Sequence, residues 1–498
     1  MRRCYTGTQI RAAETPRLEA GDGPVLMRRA AWGLAHHTLQ LLATRGRTYG
    51  SRVIGLIGKG NNGGDTLWAL SFLAKRGIAI AAIPINTTTT DLHPEGLVAF
   101  RRAGGRIVDE IAPDTAAILD GVFGTGFSGS FDLPGYLATN DLSLPTTAAV
   151  IACDIPSGIL ADTGQIPGAA LAADLTVTFA APKVGLLAEA GSQHSGMIRV
   201  VDIGINDHLT AIEHPWWIAE IPDVAQSYGT PAWDVHKYSR GVLGVVAGSA
   251  EYPGAAVLVV NAAAATGVGY ISLVAEPPRG KTVADKVISA NPQAVVADHL
   301  TDKATCVVVG PGLGQTRRAK EATGAALQAA LRLQIPVLVD ASALDVLQAE
   351  VFERGFAALV LTPHVGEMRR LTQRLAPDLA EHSVVDQAEE FARRFGAWIV
   401  LKSATTYVFG PHGVRGLHPG RTAELATAGT GDTLAGILGA GLSRLRPEDH
   451  DFSQQLFNTL SAGVRLHSMA GELAARDGGV VVSTLEDYIR QAKRQGLE

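Results

Sequence analysis

Short apolar runs alternate along the whole chain with longer stretches whose apolar positions recur at helical spacing. In the first half the runs 53–57, 78–83, 116–119, 148–152, 175–179 and 198–201 read as strands. Residues 65–76 read as a helix, with Leu67, Leu70, Leu73 and Ala74 on one face. The pattern restarts in the second half, with strands predicted at 243–247, 271–275, 306–309, 337–339, 358–361, 399–401 and 407–409. Such alternation predicts an α/β protein of mostly parallel sheets covered by helices on both faces. Between the halves, 206–237 holds Pro215, Pro222 and Pro231 with little periodicity, which puts a domain boundary near residue 225 and gives domains 1–225 and 226–498. The uncharged stretch 254–275 has the length of a membrane span, but Asn261, Thr266, Gly267 and Gly269 interrupt it, so it reads as a buried helix running into a buried strand.

Composition narrows the class. With 498 residues, 46% of them apolar and 18% charged, the chain can build two or more sizeable cores. A net charge of −5 argues against broad nucleic-acid binding. The three cysteines, Cys4, Cys153 and Cys306, are odd in number and widely spaced. They suggest neither a disulfide framework nor a zinc site, and a cytoplasmic setting is expected. Arg2, Arg3, Arg11 and Arg17 are not followed by the apolar core of a signal peptide.

Candidate chemistry sits at two glycine-rich segments, Gly58 to Asp65 and Ala426 to Asp432, each between an apolar run and a helical pattern. Converging backbone N–H groups at a helix start favour anions, so two phosphate-handling sites are expected. In the first half, Asn61, Asn62, Gly63, Gly64 and Asp65 form the loop, and Asp65 is expected to cap the helix. Asp120 ends one strand and is followed by a second glycine-rich stretch, while Asp154 ends another and precedes Pro156-Ser157-Gly158. Strand ends in an open α/β sheet converge on one crevice, where Asn62, Asp120 and Ser157 could surround a monovalent cation and Asp154 serve as acid/base. In the second half the same kind of clustering is expected of Lys237, Gly248-Ser249, Ala255, Gly310-Pro311-Gly312, Asp340, Thr362-Pro363-His364, Glu367 and Lys402. Asp432, in Gly429-Thr430-Gly431-Asp432, is placed to take a proton from a substrate hydroxyl beside a transferring phosphoryl group. Helix capping is the bland reading of Asp154 and Asp432, and burial in a hydrogen-bonded core that of His364.

At these residues the chain resembles known families. Residues 8–215 are similar to the NAD(P)H-hydrate epimerase domain, a Rossmann-like three-layer sandwich, through the segment Asn61 to Asp65, the strand-end Asp120 and Asp154, and Leu26-Met27-Arg28-Arg29-Ala30-Ala31. The resemblance implies K+ on Asn62, Asp120 and Ser157, and substrate against Asn61, Asn62, Gly63, Gly64, Asp65, Gly124, Thr125, Gly126, Phe127, Ser128, Gly129, Ser130 and the acid/base Asp154. Thr66 stands where that family usually has glycine. Residues 228–490 resemble the ADP/ATP-dependent NAD(P)H-hydrate dehydratases, which have a ribokinase-like α/β fold. There the resemblance implies substrate at Ala255, Gly312, His364 and the base Asp432, and adenine nucleotide at Lys402, Ser403, Ala404, Thr405, Thr406 and Gly431.

The order of the two segments matches fused bacterial repair enzymes. The resemblance therefore implies a bifunctional enzyme acting on NADHX and NADPHX, with ADP as co-substrate and Mg2+ beside it. It also implies a homo-oligomer without nucleic-acid or membrane partners. The residues themselves leave two other readings open. One is a small-molecule kinase, since Asp432 suits any acceptor hydroxyl; the other is a first half that binds nucleotide without catalysing.

Overall fold

Seven parallel strands form the first sheet, in the order Arg106–Ile107, Ala79–Pro84, Arg52–Ile57, Thr115–Gly121, Ala149–Cys153, Leu175–Phe179, Met197–Val201. The chain starts at Arg52–Ile57, builds outward on one side, then returns to build on the other. The sheet therefore has a topological switch point between Arg52–Ile57 and Thr115–Gly121, and a crevice opens beyond their C-terminal ends. In this computed structural model residues 1–132, 147–274 and 281–495 are described, with backbone only at 281 and 282.

The chain divides into two compact units, Arg3–Trp216 and Trp217–Glu498 together with Met1–Arg2. The division lies before the expected residue 225, which falls inside the helix Ile221–Tyr228. Pro222 sits in that helix's first turn, where a missing N–H costs nothing, so it starts a helix rather than marking a linker. Val224 and Tyr228 are buried in the second unit, where Tyr228 Oη donates to Thr459 O at 2.9 Å.

The second unit repeats the switch-point arrangement. Its parallel strands run Val295–Ala297, Tyr270–Val274, Val242–Val246, Cys306–Val309, Val337–Val339, Leu359–Leu361, Trp398–Leu401. Antiparallel Thr405–Phe409 and Arg415–Pro419 extend that edge. Their crevice opens beyond Val242–Val246 and Cys306–Val309, where Gly248 N donates to Pro311 O at 2.8 Å. Every anticipated strand is present to within two residues at either end, apart from residue 275, which lies outside the described residues. Arg106–Ile107, Val295–Ala297 and Arg415–Pro419 were not anticipated, being too short or too polar to show a pattern. Residues 254–274 form a helix, Pro253–Thr266, closed by Gly267 at φ 96°, and then a strand. Among the described residues no helix is long and apolar enough to cross a membrane.

Candidate functional site

In the first unit the glycine-rich segment is not a loop. The helix runs Asn61–Ala74, so Asn61, Asn62, Gly63 and Gly64 form its first turn and Asp65 is not its cap. Gly60 holds the cap position without a side-chain hydrogen bond. The early start depends on small residues: a Cβ on Gly63 would lie 2.0 Å from Gly58 O, so the turn packs directly on the strand's end. Asn62 Nδ2 donates to Phe123 O (2.8 Å) and Cys153 O (2.7 Å), tying the helix to two other strand ends.

Asp120 is fully buried at the switch point. It accepts from Ser157 Oγ (2.6 Å), Ser157 N (2.7 Å) and Val122 N (3.3 Å), and Ser157 Oγ accepts from Phe123 N at 3.0 Å. Burial pushes its carboxyl above the usual aspartate value, against the lowering effect of the Ser157 and Val122 bonds. Because the Asn62 amide donates through nitrogen, its Oδ1 remains an acceptor. A buried carboxylate, an amide oxygen and a hydroxyl meet here, the hard donors a monovalent cation takes.

Asp154 lies in the same crevice at φ 67°, an uncommon conformation for an aspartate. One carboxyl oxygen accepts from Phe179 N (3.0 Å), Thr178 Oγ1 (3.1 Å) and the ammonium of Lys183. Lys183 is fully buried and also donates to Phe179 O (2.7 Å) and Thr178 Oγ1 (3.0 Å). Asp154 is thus half of a buried ion pair and no simple turn cap. Two further carboxyls share its field. Asp65 is buried, its Oδ1 has no partner among the described residues, and burial, Asp154 and Glu14 push it well above its ordinary value. Glu14 is raised by burial and by Asp154, against Lys183 and Arg11. Its helix, Gly7–Glu19, reaches the 124–130 segment, since Arg11 donates to Thr125 O. In that segment Phe127 packs on Phe123 (4.7 Å between ring centroids), while Gly126, Ser128, Gly129 and Ser130 are exposed.

In the second unit the strand ends bring the candidate residues into one neighbourhood. Gly312 has φ 64°, and a Cβ there would lie 2.5 Å from Ala255 Cβ, so Ala255 and Gly312 form one wall. Asp340, at the end of Val337–Val339, is buried, accepts from Thr362 Oγ1 at 2.7 Å and pairs with Lys402 Nζ at 2.6 Å. Lys402 bridges to His364 in parallel register, and its N donates to Pro363 O at 2.8 Å. Its ammonium lies 3.5 Å from where a Cβ of Gly431 would be. Ser403 and Ala404 are exposed, Thr405 is buried and opens the antiparallel pair opposite Pro419, and Thr406 lies opposite His418. His364 is half exposed and caps the helix Val365–Leu375, with Nδ1 accepting from Gly366 N and the buried Glu367 bonding back to His364 N (2.8 Å). It is therefore not a core histidine.

The helix after the glycine turn runs Thr430–Leu442 with Gly429 (φ 95°) at its cap position, so Asp432 lies inside the first turn. Burial, with help from Asp340, raises Asp432 to about 6, against the opposing pull of Lys402. A carboxylate near neutrality at a helix start, facing a lysine, can both accept a proton and border a phosphoryl group.

Lys237 departs from expectation. It precedes Val242–Val246, so it lies at the sheet's N-terminal edge, opposite Asp432. Lys183 and Glu14 escaped sequence reasoning. Lys183 follows a strand end, the signal that singled out Asp120; Glu14 sits on a polar helix and carries none.

Residues 23–185 match the family model described as YjeF-related protein N-terminus, and residues 243–494 the one described as NAD(P)H-hydrate dehydratase. The chain is 38% identical over 492 residues to a bifunctional NAD(P)H-hydrate repair enzyme of Mycobacterium leprae, covering 96% of this chain and 95% of that one. The corresponding enzyme of Moorella thermoacetica is 31% identical, covering 87% and 85%. Among solved structures, an ADP/ATP-dependent NAD(P)H-hydrate dehydratase from Bacillus subtilis co-crystallized with ATP/Mg2+ matches 57% of this chain and all of its own at 25% identity, TM-score 0.46.

Proposed function

This chain belongs to the family of bifunctional NAD(P)H-hydrate repair enzymes, and from that premise we propose how its two crevices divide the work. The substrates are NADHX and NADPHX, which carry a hydroxyl at C6 beside the ring nitrogen, in R or S configuration. The first unit interconverts the epimers and the second dehydrates the S form using ADP. The observation that carries the second assignment is Asp432, raised to about 6 within the glycine turn and faced by the Asp340–Lys402 pair.

In the second unit Asp432 takes the C6 hydroxyl proton as that oxygen attacks the terminal phosphoryl of ADP. The bridging P–O bond breaks and AMP leaves. Phosphate then departs from C6, a proton is lost from C5, and the C5–C6 double bond returns. Lys402 and the N–H groups of the turn stabilise charge on the phosphoryl oxygens. His364, Gly312 and Ala255 hold the nicotinamide part, and Lys402 to Thr406 with Gly431 the adenine nucleotide. Mg2+ would be held by the nucleotide phosphates, with Asp340 and Asp432 offering carboxylate oxygens. Bound there it would neutralise phosphate charge.

In the first unit the C6–O bond breaks with help from the ring nitrogen, and water returns to the opposite face. Asp154, held by the Lys183 ammonium, handles the proton. Glu14 and Asp65 supply carboxyls that hold protons more readily than ordinary ones. Substrate lies against Asn61 to Asp65 and Gly124 to Ser130. Asn62, Asp120 and Ser157 fit K+, which would offset the buried Asp120 charge.

The test is recovery of dihydronicotinamide absorbance from mixed R and S NADHX with ADP and Mg2+. Full recovery faster than spontaneous epimerisation is expected. Recovery that stops at the S fraction would leave the first unit without epimerase activity, and a stable phosphorylated product would mean a kinase.

A further inference from the structure

The His236-Lys237-Tyr238 motif is left over by this chemistry, since it lies at the opposite end of the strands from Asp432. Gly269 N donates to Arg240 O (3.2 Å) and Tyr270 N to Gly241 O (3.1 Å), pinning the segment to the N-terminal edge of Val242–Val246 and Tyr270–Val274. Three cations meet there. Arg240 Nη2 donates to Gly267 O (2.9 Å), Arg444 Nη2 to Thr266 O (3.0 Å) and Gly267 O (3.1 Å), and Lys493 Nζ to Thr266 O (2.6 Å). Those carbonyls close the helix Pro253–Thr266, and Arg444 directly follows Ser443, the C-cap of Thr430–Leu442.

Capping accounts for only part of this charge. Two helix C-termini offer about half a negative charge each, so three cations leave an excess of about two. Among the described residues, the charges acting on Arg444 are those of Tyr228 and Arg240, and those acting on Lys493 are those of Arg444 and Arg240. Burial, then that repulsion, pushes Lys493 down to about 8. Asp302, on the same side of the domain, is engaged by Arg332 at 2.9 Å. Lys303 and Lys237 add further positive charge around Tyr238, at 4.7 and 5.0 Å from its ring centre.

Beside the cations lies a cavity of about 300 Å³ lined by Ser227, Thr230, Ser239, Arg240 and Arg444. Arg240 Nε is buried there with no hydrogen-bond partner among the described residues. We propose that this cavity binds a small phosphate-bearing anion, of phosphate to pyrophosphate size, at a site separate from the catalytic turn. Guanidinium N–H groups match phosphate oxygens, the hydroxyls add donors, and the anion would fill the uncompensated field.

The test is calorimetric titration of the full chain with pyrophosphate. Four proteins are compared: wild type, Arg240→Gln, Lys493→Gln, and Gly431→Val, which obstructs the catalytic turn beside Lys402. The expected result is binding that persists in Gly431→Val and weakens about tenfold or more in Arg240→Gln and in Lys493→Gln. Arg444 is left intact because it holds the carbonyls of Ser227, Thr266 and Gly267, and Lys493→Gln carries the test if Arg240→Gln misfolds. Binding lost in Gly431→Val but unchanged in the other two would place pyrophosphate in the catalytic turn and overturn the proposal. Absence of any binding by the wild type would overturn it equally.

Discussion

Asp432→Asn is expected to abolish dehydration and, at neutral pH, to make the second unit more stable. The two effects share one cause. The carboxyl sits at about 6 because burial, then Asp340, disfavours its ionised form, with Lys402 compensating only in part. Against an ordinary 3.8, a rise of about two units corresponds to about 3 kcal/mol of native-state cost once the group is ionised. The sign follows from linkage. The folded carboxyl binds its proton more tightly than the unfolded one, so folding stability falls as pH rises from about 4 to about 6 and stays low above that. Asparagine keeps the shape without the charge. Its stabilisation is therefore full above pH about 6, bounded by about 3 kcal/mol, and fades below about 4. The assay is urea unfolding of wild type and variant at neutral and acid pH, following the second unit's transition separately because a two-unit chain need not unfold in one step. Dehydration of purified S-NADHX is measured on the same preparations. A variant no more stable than wild type at neutral pH, or equally stabilised at both pH values, would mean that Asp432 is not a desolvated carboxylate. Near-normal turnover would remove it as the base.

Lys183→Met leaves the Asp154 carboxylate buried beside Asp65 and Glu14 without its cation; epimer exchange is expected to fall at least about a hundredfold and the first unit to lose about 3–5 kcal/mol, read by exchange kinetics and by unfolding, with S-NADHX dehydration unchanged. Asp154→Asn is expected to limit repair to the S fraction of a mixed substrate, which the absorbance end point reports. Exchange of sodium for potassium is expected to raise the first unit's melting temperature in a concentration-dependent way, and Asp120→Asn to remove that dependence, as thermal scans across a potassium series would show. Gly312→Ala puts a Cβ at positive φ 2.5 Å from Ala255 Cβ; a cost of about 1–3 kcal/mol and a selective loss of dehydration are expected, measured by unfolding and by the two activities.

What could be read from the chain depended on where a residue stands relative to a strand. Asp120, Asp340 and Lys402 follow or end buried apolar runs, and in parallel sheets those ends all point to one edge, so their convergence is legible in the sequence. Lys237 shows the converse: it stands near a strand but before it, and the same parallel geometry sends it to the other edge. Adjacency to a strand was read where direction was needed. The helix starts at Asn61 and Thr430 were placed several residues late because glycines argue for a loop locally. At Asn61 the close approach of Gly63 to Gly58 O shows why the glycines begin a helix instead. Lys183 was illegible for another reason. Lysines are ordinarily exposed, and nothing in Ala181-Pro182-Lys183 says that Phe179 O, Thr178 and Asp154 will enclose this one. A buried lysine whose three donor contacts all go to a neighbouring strand end and its carboxylate has its ammonium fixed before substrate arrives. That fixed charge holds the Asp154 carboxyl in place within a pocket that already contains two other carboxyls.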